Sequence, residues 1–278
     1  MKIFVAVVDA ETVKAFYDKT HRKLNVLVSY FYLKGNAYKL TKTYRNMIKD
    51  LYLDSGAYSV FTKKSKISLS EYARYLKRYG HHYNATFNLD DKFDDPEHNK
   101  RNLNYLQTFI GERNRWPIPV VHDLADPFGE FEDYVNQGCD YIALGSTNKN
   151  TEEVLDNVKS KYPDIKVHLF GNLDRELLYK YRPYSADSST FGIAAGYGTI
   201  YYWDPDEKNE YKIYMGGRDR VAEGEIEYKT FKHRKKFDEF LSRTFGYDKI
   251  TLLHDSQAMH IVNIYFFSQL ENHLNSLK

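Results

Sequence analysis

The sequence is poor in three features that would assign it to a class directly. It has one cysteine, Cys139, in 278 residues, which excludes an internal disulfide framework and a zinc site built from several cysteines. No apolar run approaches membrane-spanning length, and the chain begins directly with an apolar strand, so we expect a soluble cytoplasmic protein without membrane contact. Charge of one sign is also scarce. The formal net charge is +2, so nucleic acid could be bound only by a local patch.

Aromatic residues, in contrast, are abundant. The chain has 26 tyrosines and 17 phenylalanines. Tyrosine can bury its ring while its hydroxyl stays hydrated, so many of these residues suit surfaces and clefts. Biased codon usage explains the same abundance equally well.

Apolar segments of strand length alternate with segments of helical periodicity over the first two thirds of the chain. Because the strands are continuous apolar runs, they indicate a parallel sheet covered on both faces. Eight strand and helix units in a chain of this size predict a (β/α)₈ TIM barrel. The predicted strands are residues 2–8, 25–32, 51–54, 85–90, 117–123, 141–145, 166–171 and 184–187.

The pattern changes after residue 190. Two strand-like runs within residues 199–220, separated by a polar turn, predict a β-hairpin insertion. Residues 229–278 predict a C-terminal helical segment that opens with a basic run. We expect one α/β domain over residues 1–278.

Polar residues gather at the carboxyl ends of these strands, where barrels of this kind place their active sites. Two of them, Asp54 and Asp187, are carboxylates beside small hydroxyl residues, and such a pair is the equipment for cleaving a glycosidic bond. The alternative is that such aspartates only cap the following helices. The strand-end residues are Asp54, Asp90, Asp91, His122, Asp123, Gly145, Ser146, His168, Gly171 and Asp187.

Five motifs occur here in the order found in tRNA-guanine transglycosylases. They are Asp54-Ser-Gly-Ala-Tyr, Val121-His122, Tyr141-Ile-Ala-Leu-Gly145, Val167-His-Leu-Phe-Gly171 and Asp187-Ser. The chain therefore resembles that superfamily over about residues 51–191, and it is most similar to the archaeal members and to phage-type DNA-guanine transglycosylases. The resemblance implies a pentosyltransferase without a cofactor, which would work in the cytoplasm of a host cell if a phage encodes it.

The resemblance also implies roles for individual residues. Asp187 would attack the sugar C1′, and Asp54 would act as the general acid and base. Asp90 would accept hydrogen bonds from the Watson–Crick edge of the base. Further contacts to the base would come from Ser55, Gly56, His122, Leu144, Gly145, His168 and Gly171.

Three departures from the family bear on the substrate. His122 stands where the family commonly has glutamine, so it could donate to the base or simply pack behind the site. With Cys139 alone, the cysteine-rich zinc site of bacterial members cannot form. The C-terminal RNA-binding domains of archaeal members have no counterpart here. We therefore expect DNA as the substrate, with tRNA as the alternative, and a 7-deazaguanine such as preQ0 as the incoming base.

Basic stretches are the candidates for nucleic-acid contact. In duplex DNA the target base must leave the stack, and Tyr58, Phe191 and Tyr197 could fill the gap. We predict no metal site, because the pair His81-His82 precedes a strand and His168 suits a role in orienting a carboxylate. The candidate nucleic-acid ligands are Lys63, Lys64, Arg218, Arg220, Lys232, Arg234 and Lys235.

Other functions stay open at this point. The chain could be a non-catalytic partner subunit of a transglycosylase, although two carboxylates argue against that. It could also be a hydrolase, since water can resolve the same covalent intermediate. The sequence gives neither the oligomeric state nor the particular deazaguanine.

Overall fold

The computed structural model describes residues 1–6, 8–33, 37–122, 125–145, 150–216 and 221–277. Eight parallel strands form one sheet, in the order β4-β3-β2-β1-β8-β7-β6-β5. They are β1 (Lys2–Ala6), β2 (Leu24–Ser29), β3 (Ile48–Asp54), β4 (Ala85–Thr86), β5 (Val120–Val121), β6 (Tyr141–Leu144), β7 (Lys166–Leu169) and β8 (Ser185–Ser188).

The sheet closes into a ring. β8 pairs in parallel with β1, and a parallel bridge joins Phe87, just after β4, to Ile118, just before β5. At this second junction the amide of Asn88 donates to the Ile118 carbonyl over 2.9 Å, and the amide of Ile118 donates to the Thr86 carbonyl over 2.8 Å. These pairings confirm the predicted (β/α)₈ barrel.

Helices follow most strands, and several begin at a capping side chain. Asp9, Asp95 and Asp174 each accept a hydrogen bond from a backbone amide in the first turn of the next helix. Such caps satisfy donors that a helix start leaves unpaired. These helices are α1 (Ala10–Thr20), α2 (Ala57–Thr62), α3 (Leu69–Tyr79), α4 (Pro96–Ile110), α5 (Pro127–Asn136), α6 (Thr151–Lys161), α7 (Arg175–Tyr181) and α8 (Thr190–Gly196).

Side chains alternate between two apolar layers because successive residues of a strand point to opposite faces. One layer packs beneath the helices and continues into the C-terminal segment. The other fills the barrel interior, and its buried members are Phe4, Ala6, Leu27, Tyr52, Phe87, Ile118, Val120 and Ala143. The interior of the barrel is thus packed by apolar side chains.

The predicted hairpin is present as β9 (Thr199–Asp204) and β10 (Asn209–Tyr214), which pair antiparallel. The structure adds a third strand, β11 (Glu225–Glu227), which pairs in parallel with β10. The sequence analysis did not predict β11. Residues 217–220 lie outside the described ranges. Among the described residues, no helix has the length and apolar character to cross a membrane. The remaining helices are α9 (Arg234–Phe245), α10 (Lys249–His254) and α11 (Ser256–Ser276).

Asn263 ties α11 to the end of the barrel. Its side-chain amide donates to the carbonyls of Phe191 and Thr199, each over 3.1 Å, and its oxygen accepts from the Tyr201 amide over 2.8 Å. Asn263 is fully buried, so these three backbone groups have no water to replace it.

We expect Asn263→Ala to lower the free energy of unfolding by roughly 2 to 4 kcal/mol, because buried polar groups lose their partner. Urea unfolding followed by circular dichroism measures this loss. Asn272→Ala on the exposed face of the same helix is the matched control. An unchanged midpoint in Asn263→Ala would contradict the assigned role.

Candidate active site

A cavity of about 340 Å³ opens at the carboxyl end of the barrel strands. Cavities that hold small ligands begin at about 300 Å³. Three carboxylates, Asp54, Asp90 and Asp187, line it together with His122. The aromatic part of the lining is Tyr58, Phe93 and Phe170. The fold therefore brings together both members of the predicted carboxylate pair.

Asp187 lies at the end of β8 and is held through one of its two oxygens. Its Oδ1 accepts from the backbone amide of Gly171 over 3.0 Å and lies 3.2 Å from Nε2 of His168. Gly171 has a φ of +58°, a backbone conformation that favours glycine. Among the described residues no donor reaches Oδ2 of Asp187, so this oxygen is available to a ligand.

His168 belongs to a buried hydrogen-bond chain that runs down the barrel interior. Its Nδ1 lies 2.6 Å from Oγ of Ser185, which lies 2.6 Å from the hydroxyl of Tyr141. A carboxylate only accepts hydrogen bonds. Nε2 of His168 must therefore carry the hydrogen and donate it in the hydrogen bond to Asp187. In the neutral imidazole Nδ1 then accepts from the Ser185 hydroxyl. The predicted role of His168 in orienting a carboxylate requires this contact with Asp187.

Asp54, at the end of β3, has a different environment. Its Oδ2 accepts from the Gly56 amide over 2.9 Å. Burial, together with the negative charges of Asp90 and Asp187, raises the pKa of Asp54 to about 8. Asp54 is therefore protonated at neutral pH and can donate a proton.

Gly56 supports this geometry because no other residue fits there. Its φ is +89°, and a Cβ at this position would lie 2.4 Å from Oγ of Ser29. Ser29 pairs with Asp54 across β2 and β3. The tight approach explains why glycine follows Asp54-Ser55.

Asp90 is held by two side chains. Its Oδ1 lies 3.2 Å from the Ser55 hydroxyl, and its Oδ2 lies 2.5 Å from Nε2 of His122. Both oxygens keep further acceptor capacity, since a carboxylate can accept about four hydrogen bonds. A Cβ on Gly145 would lie 2.5 Å from Nδ1 of His122, so the imidazole needs glycine beside it.

The structure corrects some of the predicted ligand contacts. The amide of Gly145 donates to Val121, and the carbonyl of Leu144 accepts from Phe170. The amide of Gly145 and the carbonyl of Leu144 are thus engaged in hydrogen bonds of the sheet. Leu144 also does not line the cavity. Ser55, Gly56 and His168 are also outside the lining and act by positioning Asp90, Asp54 and Asp187.

The lining includes residues that the sequence reading missed. Ser29, Phe93 and Phe170 contribute to it. Ser29 ends β2, but the predicted strand continued to residue 32, so no strand-end signal pointed to it. Glu130 was also missed. It is buried, and its Oε2 accepts from the His122 amide over 2.8 Å, which fixes the end of β5.

The three residues predicted to fill the gap in the DNA stack differ in their exposure and in their position relative to the cavity. Phe191 is only 5% exposed and packs against His260, so its proposed insertion into DNA was wrong. Tyr58 is exposed and lines the cavity. Tyr197 is exposed but lies outside the lining.

The predicted nucleic-acid ligands fall in three places. Lys63 and Lys64 follow α2, whose residue Tyr58 is at the cavity mouth. Lys232, Arg234 and Lys235 lie at the start of α9 and do not line the cavity. Arg218 and Arg220 lie outside the described residues. Among described residues, no three His, Cys, Asp or Glu side chains are grouped as metal ligands are.

Comparison with known proteins bears on the fold. No protein-family model matches the sequence, and no curated protein matches it. Among solved structures, the chain is similar to a protein from Coccidioides immitis provisionally assigned as a fructose-1,6-biphosphate aldolase. The identity is 12%, the TM-score is 0.56, and the match covers 99% of this chain and 89% of the other. At this identity the likeness supports the barrel fold alone.

The charge of Asp90 is one cause of the raised pKa of Asp54, so we expect Asp90→Asn to lower that pKa from about 8. A ¹³C-carboxyl NMR titration of aspartate-labelled protein measures it, with Asp54→Asn identifying the resonance. Asp156→Asn, on an exposed face of α6, is the control and should change nothing. A wild-type pKa of Asp54 near 4 would contradict the assignment of a proton donor.

We expect ¹⁵N NMR of histidine-labelled protein to show Nε2 of His168 protonated and Nδ1 bare, because Asp187 accepts and Ser185 donates. Ser185→Ala should shift the Nδ1 resonance by removing its hydrogen bond. Ser188→Ala, on the same strand, should leave it unchanged. A proton found on Nδ1 alone would be inconsistent with the inferred tautomer.

Proposed function

We propose that the chain is a DNA-guanine transglycosylase, which exchanges guanine in DNA for a 7-deazaguanine such as preQ0. The observation that carries the proposal is the pairing, on one cavity, of a protonated Asp54 with a hydrogen-bonded Asp187. Cleavage of a glycosidic bond requires one acid and one nucleophile. The ordered motifs described above supply the identity of the base.

In the first half of the reaction, Oδ2 of Asp187 attacks C1′ of the sugar. The bond between C1′ and the guanine nitrogen breaks, and its electron pair leaves with the base. Asp54 donates its proton to the departing base, which becomes neutral guanine. The products are a covalent aspartyl-sugar and an ionised Asp54.

The second half reverses these transfers. The incoming 7-deazaguanine gives its ring N–H proton to the Asp54 carboxylate, and its nitrogen attacks C1′. The ester bond to Asp187 breaks, so Asp187 regains its charge and Asp54 its proton. No cofactor is consumed, and the enzyme returns to its starting state.

Base recognition would fall to Asp90. Guanine and its 7-deaza analogues present two neighbouring donors, a ring N–H and an exocyclic amine, which match the acceptors of one carboxylate. His122 holds Asp90 over 2.5 Å and thereby positions it. This favours the packing alternative for His122 over a direct contact with the base.

Three other functions would change one part of this scheme. A tRNA-guanine transglycosylase would use the same residues on another polymer. A hydrolase would admit water to the covalent intermediate. A non-catalytic partner subunit would need no functional carboxylate pair, and the unlike environments of Asp54 and Asp187 argue against it.

The experiment is incubation of the protein with preQ0 and duplex DNA, single-stranded DNA or tRNA, followed by mass analysis of the nucleosides. We expect preQ0 in DNA. Asp187→Ala should abolish exchange, and Asp54→Asn should slow it by roughly 100-fold or more, the usual contribution of a general acid. The rate should also fall as pH rises above about 8, because Asp54 then loses its proton.

Asp156→Asn is the control for a general loss of protein quality. Asp187→Asn should also fail to form a covalent complex with DNA on denaturing gels. Release of guanine without incorporation of preQ0 would identify a hydrolase instead, and modification of tRNA alone would identify the tRNA enzyme. Full exchange by Asp187→Ala would end the proposed mechanism.

A further inference from the structure

The mouth of the cavity has one side that is both aromatic and basic. We call it the aromatic rim and define it by Phe31, Tyr32, Tyr58, Phe61, Phe93, Lys63, Lys64 and Lys66. Its residues come from the segments after β2, β3 and β4. It begins at the cavity itself, because Tyr58 and Phe93 belong to the lining.

The rim is continuous and open to solvent. Tyr58 is 59% exposed and Phe61 is 66% exposed. The ring of Phe61 lies 5.3 Å from that of Phe93, and Nζ of Lys63 lies 4.7 Å from the ring of Tyr32. Large rings left this exposed are favourable surfaces for a flat apolar partner.

Within the part of the chain that the structure describes, the three lysines of the rim have no acidic partners. Among the described residues, none of Lys63, Lys64 and Lys66 forms an ion pair, and residues 55–70 contain no aspartate or glutamate. The segment that carries Phe93 is acidic, because residues 90–95 include four aspartates, so the rim is basic at residues 63–66 and acidic around Phe93. A polyanion would therefore be attracted to the rim at residues 63–66 and not at the segment around Phe93.

The basic run at α9 differs only in part. Lys229, Lys232 and Lys236 each lie within 4.0 Å of a carboxylate, whereas Arg234 and Lys235 form no ion pair among the described residues. Paired lysines have less charge available for phosphates. Of the two basic regions predicted from the sequence, the rim adjoins the cavity and the run at α9 does not line it, so the rim is the stronger candidate for nucleic acid.

We infer that the aromatic rim binds a single-stranded polynucleotide next to the base held in the cavity. Tyr58 and Phe61 would each stack on a neighbouring base, and Lys63, Lys64 and Lys66 would contact the phosphates. Stacking on aromatic rings and pairing of phosphates with lysine are the general means of binding single strands. A stacked duplex offers no free base faces to these rings, so the strand must be open there.

This inference rests on the proposed function only for the identity of the base in the cavity. Binding of the strand needs no exchange, so it can be measured in the Asp187→Ala background. Binding without exchange in the wild type would remove the proposed function and keep the rim. If the wild type exchanges the base and the rim variants bind the strand normally, the proposed function is kept and the rim inference is removed.

The test is fluorescence anisotropy of a labelled 12-nucleotide single strand with one guanine, run as DNA and as RNA, beside the DNA duplex. We expect the single strand to bind more tightly than the duplex. Phe61→Ala and Tyr58→Ala should each raise Kd about tenfold, since each removes one stacking contact. Replacing Lys63, Lys64 and Lys66 by alanine should reduce the slope of log Kd against log salt by about 2.

Two variants match these changes elsewhere on the surface. Tyr105→Ala removes an exposed tyrosine of α4, and Lys232→Ala removes a lysine of the other basic region. Both should bind as the wild type does, and thermal melting checks that every variant is folded. The inference is overturned if the rim variants bind normally, if Lys232→Ala weakens binding as much, or if the duplex binds best.

Discussion

Repulsion among three carboxylates in one confined cavity is the constraint on which the site depends. Charges of one sign disfavour one another most strongly where water is scarce. Burial, together with the charges of Asp90 and Asp187, raises the pKa of Asp54 to about 8, so Asp54 relieves the repulsion by keeping its proton. Asp187 instead accepts hydrogen bonds from two donors, and Asp90 accepts hydrogen bonds from two others. Unlike environments for chemically identical groups separate an acid from a nucleophile.

The support for Asp187 comes from inside the barrel. His168 is fully buried, and its ring lies 4.6 Å from that of Phe170 and 5.0 Å from that of Phe87. Its polar partners are Ser185 below and Asp187 above. Apolar walls with two fixed polar contacts leave the imidazole one orientation, so the carboxylate above it is also fixed before any ligand arrives.

The sequence predicted the barrel and the carboxylates of the cavity because both depend on local patterns. Apolar runs located the strands, and the residues after them located Asp54, Asp90 and Asp187. It could not show that Ser185 forms a hydrogen bond with His168. Nor could it show that Ser29 lies close to Gly56. Both contacts join separate segments of the chain. Burial of Phe191 was equally invisible, since an aromatic residue shortly after Asp187 gives no sign in the sequence of the helix that covers it. The strand β11 was missed because its three residues are polar at both ends.

The junction between β4 and β5 has a consequence for how the barrel holds together. These strands have two residues each and meet through one bridge and its flanking hydrogen bonds, so this seam has the least backbone cohesion of the ring. Just beyond this junction, the side chains of Asp90 and His122 form a hydrogen bond. This hydrogen bond is a second link between the two strands. A ligand that binds Asp90 only while β4 and β5 are joined would stabilise this junction through its binding free energy.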